Sequence, residues 1–97
     1  MSTYITLLKF TQKGIEDVKN GPARLDAAKE LFKNMGAEIT SFHLTVGRFD
    51  AVVVTECKDD ETMAKVVLTI GQKGNVTTET LRAFTEDEYR RIVSTLP

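Results

Sequence analysis

The apolar and polar positions of the chain fall into seven segments. "TYITLLKF", Thr3 to Phe10, is rich in β-branched and aromatic residues and predicts a strand. "TQKGIEDVKNGP" breaks it, with Thr11 as a cap for a short turn of helix carrying Ile15 and Val18. From Pro22 to Met35 the period becomes helical. Leu25, Ala28, Leu31, Phe32 and Met35 share one face, Pro22 suits the first helical position, and Gly36 ends the element. Ala37 to Val46 predicts a second strand and Ala51 to Cys57 a third, joined by Gly47-Arg48-Phe49-Asp50 as a tight hairpin connection. Asp59 and Asp60 open a helix whose buried face is Met63, Ala64, Val67, Leu68 and Ile70, closed by Gly71 and Gly74. Asn75 to Phe84 predicts a fourth strand. In the last segment Thr85 and Glu88 have capping-box spacing, and Tyr89, Ile92, Val93 and Leu96 follow at i, i+3, i+4 and i+7.

The order β-α-β-β-α-β-α predicts an α+β fold. Its first six elements match the ferredoxin-like βαββαβ plan, a four-stranded antiparallel sheet with two helices on one face, followed by an extra C-terminal helix. Antiparallel strands wet on one face should alternate apolar and polar. Here Leu8 and Phe10 alternate with Ile5 and Leu7, Phe42 and Leu44 with Ile39 and His43, and Val52 and Val54 with Val53. The second face therefore needs a cover. The C-terminal helix is expected to supply part of it and a second copy of the chain the rest.

Composition narrows the function without choosing one. The 97 residues suit a single domain over positions 1–97 with a modest core. Thirteen basic and fourteen acidic residues are interspersed, with a net charge of −1, so no basic stripe marks a nucleic-acid partner. The lone cysteine, Cys57, makes no internal disulfide, and with one histidine there is no Cys/His metal cluster; neither metal nor cofactor is expected. No signal peptide or membrane span is evident in the sequence, and the expected location is the cytoplasm.

"TLLKFTQKGI", "SFHLTVGRFDAVVVTE" and "GNVTTETLRAFTEDE" resemble the GYD-domain proteins, from about Tyr4 to Leu96. The G-x-aromatic-Asp turn and the G-N-V-x-T-E-T-L-R-A-F segment together carry the resemblance. It implies a dimeric α/β-barrel, in which two ferredoxin-like sheets pack face to face. It implies no reaction. The aromatic of the turn is Phe49 rather than tyrosine, so a mechanism needing a phenol hydroxyl there does not transfer.

The candidate catalytic residues are His43 and Asp50. Asp50 either ties the hairpin turn by accepting backbone N–H bonds or acts as a proton acceptor at the mouth of a cavity. His43, the single imidazole, is either a packed strand residue or a proton-transfer group, and hairpin register decides which face it occupies. Candidate ligand-binding residues are Phe49, Glu79 and Arg82. Glu79 and Arg82 point to opposite faces of the fourth strand, and the inward one needs a partner. For Arg82 that is a salt bridge with Asp50 or Glu56, or a ligand carboxylate. "GQKGN", Gly71 to Asn75, follows a helix rather than preceding one and reads as a cap and turn, not a phosphate loop.

The leading expectation is a small oligomeric domain, a dimer or higher even assembly, holding a small partly apolar ligand between facing sheets. The alternative is a cofactor-free monooxygenase or isomerase of small aromatic or oxo compounds using His43 and Asp50. An RNA-binding sheet of the same strand order is excluded by the missing aromatic run on the third strand and the lack of basic surplus.

Overall fold

The computed structural model describes all 97 residues. Its first strand, β1 (Ser2–Phe10), lies in the interior of a four-stranded sheet of order β2-β3-β1-β4, where β2 is Ala37–Leu44, β3 Ala51–Cys57 and β4 Val76–Ala83. All three pairings are antiparallel. Between β1 and β2 run α1 (Gln12–Glu16), a 3-10 turn over Val18–Asn20, and α2 (Gly21–Asn34). Between β3 and β4 runs α3 (Asp60–Gly71), and α4 (Glu86–Ser94) follows β4. This is the ferredoxin-like α+β arrangement with two added helices, the short α1 ahead of α2 and α4 at the end.

Local chemistry sets the boundaries. The Thr11 hydroxyl accepts the Gly14 N–H at the start of α1, and Asp59 accepts the Thr62 N–H at the start of α3. Gly36 takes φ +87°, the left-handed conformation that ends α2 and that side-chain-bearing residues rarely adopt. Thr85 and Glu88 form both halves of a capping box, with Glu88 Oε1 accepting the Thr85 N–H at 2.8 Å.

The core lies between the sheet and the two long helices. Tyr4, Ala37 and Cys57 from the sheet pack with Phe32 of α2 and Met63 and Val66 of α3. A second buried group, Leu8, Ala51 and Val53, lies toward the other end of β1. The buried face of α3 runs through Met63, Val66, Val67 and Ile70. Val66 is fully buried, whereas Leu68, expected inside, is exposed. The spacing 63, 66, 67, 70 is the helical i, i+3, i+4, i+7 pattern, and Leu68 falls outside it.

Three expectations are corrected. First, β2 ends at Leu44, and the hairpin connection is the six-residue loop Thr45–Asp50 rather than a tight four-residue turn. Second, β2 contains a bulge between Ile39 and Ser41. The extra residue, Thr40, shifts the phase of the strand, so Ile39 and Phe42 both face the helices despite their odd spacing. Third, α4 does not cover the second sheet face. None of its residues is buried, and it makes no substantial contact with another element. The molecule measures 52 × 31 × 18 Å, and its radius of gyration is 14.6 Å. A compact chain of about 100 residues would have a radius of about 13 Å.

Candidate functional site

The strand pairing fixes what the open face of the sheet presents. One row across it reads His43, Val52, Leu7, Glu79, and the next reads Ser41, Val54, Ile5, Leu81. Ile5, Leu7, Val52 and Val54 of the two inner strands form the centre, Leu81 extends it onto the β4 edge, and Ser41, His43 and Glu79 are the polar edge residues. Leu44 rather than Val46 stands opposite Ala51, and His43 pairs with Val52. His43 is exposed on the edge strand and shares this face with Val52 and Val54. Glu79 lies on the same face at the opposite edge, three strand spacings from His43, roughly 14 Å away.

Asp50 holds a different position. Its Oδ2 accepts the Phe10 N–H at 2.8 Å, its own N–H donates to the Leu8 carbonyl at 2.7 Å, and its carbonyl accepts the Thr45 N–H at 2.9 Å. The carboxylate therefore satisfies the last backbone donor of β1 rather than an N–H of the hairpin loop. The loop is held instead by the Thr45 hydroxyl, which donates to the Phe49 carbonyl at 2.7 Å. The Arg48 guanidinium stands 5.3 Å from the centre of the Phe49 ring. No hydrogen bond joins His43 to Asp50.

Arg82 faces the helix side, away from Glu79. It makes no ion pair with Asp50 or Glu56. Its guanidinium donates to the backbone carbonyls of Thr3 and Ala83 and stands 4.4 Å from the Phe84 ring centre and 5.7 Å from that of Tyr4. With Tyr4, Asp60, Met63 and Thr80 it lines a pocket of about 270 Å³. In that pocket the Tyr4 hydroxyl donates to Asp60 Oδ1 at 2.5 Å. Burial, followed by this hydrogen bond to Asp60, pushes the Tyr4 phenol from 10 to about 12, so it stays neutral. Burial also raises the Cys57 thiol, which opposes thiolate formation. No group of three or more His, Cys, Asp or Glu side chains is arranged to hold a metal ion.

A larger hollow lies on the helix side. The helices α2 and α3 stand apart over the central strands, leaving an apolar groove of about 680 Å³. Leu8 and Val53 line it from the sheet, Leu25 and Leu31 from α2, Ile70 from α3, and Leu44 from the end of β2. Arg24 and Lys73 also line it.

Of the sequence candidates, the structure brings His43 and Glu79 to one face but separates them. It places Phe49 and Asp50 in the loop beside the end of β1, and Arg82 on the opposite face. The Tyr4–Asp60 pair and the helix-side groove were not anticipated. The pair joins residues 56 positions apart. The groove depends on how far two helices splay, which no local pattern encodes.

Comparison with known proteins agrees with this architecture. A curated relative from Thermus thermophilus, named glutamine synthetase and cystathionine beta-lyase binding protein, is 32% identical over 84 residues, covering 86% of this chain and 88% of that one. The crystal structure of TTHA0845, also from Thermus thermophilus, superposes with a TM-score of 0.55 at 24% identity, covering 88% of this chain and 95% of that one, and supports the fold alone. The family model for the GYD domain matches residues 4–93. The chain belongs to the GYD-domain family.

Proposed function

We propose that this chain is a small protein-binding domain whose open sheet face docks on a metabolic enzyme. The observation that carries the reading is the face itself. Ile5, Leu7, Val52, Val54 and Leu81 form an apolar centre that no helix of the chain covers, between polar edges carrying His43 and Glu79. An apolar patch rimmed by polar groups is the usual form of a protein-docking surface. The relative's name, which describes binding to glutamine synthetase and cystathionine beta-lyase, supports enzymes of this kind as the partner class. Such a partner would place the protein in the cytoplasm; no helix is long and apolar enough to cross a membrane.

A second reading uses the same face. Two copies could close it sheet to sheet as a homodimer and enclose a small partly apolar ligand, with His43, Phe49 and Glu79 as candidate contacts; Arg82, on the helix side, is not among them. The double-sided apolar character of β1 and β3 favours this arrangement. His43 and Asp50 lack the mutual contact that an acid–base pair would use, so the enzymatic alternative has less support.

One experiment separates the readings. Val54→Glu places a charge in the centre of the face. Loss of capture of glutamine synthetase by the purified protein, with its own mass by light scattering unchanged, supports docking. A fall in mass to that of one chain supports the paired sheets. Retention of both mass and capture removes both readings.

A further inference from the structure

Two features of the molecule lack a partner, and their chemistry matches. The first is α4. Tyr89, Ile92 and Val93 form an apolar stripe that Leu96 extends just past the C-cap, and all four are solvent-exposed. An isolated helix in water is marginal below about 12–15 residues. Helix α4 has nine residues, and a capping box is its main internal support beside the exposed Arg90–Glu86 pair. A helix this short persists when something packs on its apolar stripe.

The second feature is the groove between α2 and α3, which is concave and apolar and holds nothing from its own chain. Leu44, on its wall, is 70% exposed. The two features do not meet within this chain, where α4 makes no substantial contact with another element. The groove is lined by Phe10 and Val76, which pair at one end of the β1–β4 ladder. Helix α4 leaves from the other end, where Thr3 pairs with Ala83, about 24 Å along the strand. Only Phe84 and Thr85 connect Ala83 to α4, and two residues span at most about 7 Å.

We propose that the groove receives α4 of a second copy of this chain. A concave cleft between two helices accepts an amphipathic helix as i, i+3, i+4, i+7 anchors, whereas the open sheet face is flat. Charge supports the seating. Lys73 lines the groove, and the Lys13 ammonium donates to the Lys73 carbonyl at 2.8 Å; Arg24, also on the wall, is already ion-paired with Asp17. Lys73 lies just past the C-terminus of α3, and at the opposite end of that helix the first turn carries Asp60 and Glu61. Helix α4 runs from Glu86, Asp87 and Glu88 to Arg90 and Arg91. Its acidic first turn against Lys73 places its arginines toward the acidic start of α3.

The test is amide hydrogen exchange of α4 in the full-length protein. In the wild type, protection of the Ile92, Val93 and Ser94 amides should rise with protein concentration. Leu25→Glu, in the groove, should lower it by roughly tenfold or more, as expected for replacing one buried leucine contact. Leu44→Glu, at an exposed strand end, should act in the same direction without threatening the fold. Mixing isotope-labelled Leu25→Glu chains, whose α4 is intact, with unlabelled Ile92→Glu chains, whose groove is intact, should restore protection in the labelled chains. The proposal is overturned if wild-type protection does not depend on concentration, or if both groove variants keep it. It is also overturned if mixing restores nothing, or if Val54→Glu on the sheet face removes protection while the groove variants do not.

Discussion

Asp50 illustrates how a single side chain can be assigned a role by its partner. Its carboxylate closes the last backbone donor of β1, a bond between residues 40 positions apart. Asparagine keeps an oxygen for that N–H, so Asp50→Asn should leave stability nearly intact. Asp50→Ala strands the Phe10 N–H and should cost about 1–3 kcal/mol by denaturant unfolding. Thr55 shows the opposite case. Its hydroxyl is fully buried with no hydrogen-bond partner. Thr55→Val removes an unsatisfied polar group and should raise stability by about 1 kcal/mol in the same assay. Tyr4 supplies a pH signature. Its folded-state value is raised above the ordinary one, so its contribution is complete below pH 10 and is lost as pH rises through about 12. Tyr4→Phe should flatten the alkaline limb of the stability profile over that window, read as unfolding midpoint against pH.

At the scale of elements, α4 separates local from global stability. Removing its cap with Thr85→Ala should weaken the helix by about 1 kcal/mol. That loss should appear as faster amide exchange within α4, with the unfolding midpoint moving only under conditions where α4 is packed against another chain. The corner between α1 and β4 is more tightly bound to the fold. A Cβ on Gly14 would stand 2.1 Å from the Asn75 carbonyl oxygen, and backbone cannot yield as a side-chain tip does. Gly14→Ala should therefore cost about 1–3 kcal/mol, measured by urea unfolding. These elements also show what was legible in the sequence. The strand β1, the caps at Asp59 and Thr85, and the stop at Gly36 were readable because each depends on neighbours within a few residues. The bulge at Thr40, the register of Leu44 with Ala51 and the partner of the Asp50 carboxylate, the Phe10 N–H, were not. Each is decided by a strand or loop distant in sequence, where shifting by one residue changes the face of every side chain beyond it. Val66 was legible in the helical period, since it completes i, i+3, i+4, i+7 with Met63, Val67 and Ile70, and it packs with Phe32 and Tyr4.

For the whole molecule, the main observation is how much apolar surface the chain leaves unfilled. The sheet has one face on the helices and one uncovered, the groove is open, and the last helix extends away from the body. The double-sided apolar pattern of β1 and β3 was visible in the sequence and pointed to association; that of β2 is undone by the bulge at Thr40, which leaves Ser41 and His43 on its open face. The groove and the position of α4 were not, because they depend on the angle at which elements leave the sheet. Paired sheets, if they form, should bury about 1,200–2,000 Å² in all. Light scattering at micromolar concentration should then give an even multiple of the chain mass, and a single-chain mass would remove that assembly.

The sheet has two margins, β2 and β4, where a foreign strand could add by hydrogen bonding. Both are poorly suited to it. The β2 margin is bent by the bulge at Thr40 and carries Glu38, and the β4 margin carries Glu79 and Arg82 along its length. Bulges and charges on an outer strand are known obstacles to edge-to-edge growth. Continuous cross-β stacking is therefore disfavoured even though the broad surfaces are adhesive. Concentrated protein should form particles of bounded size and stay free of thioflavin-positive fibrils, and straightening β2 by deleting Thr40 should make fibril formation easier.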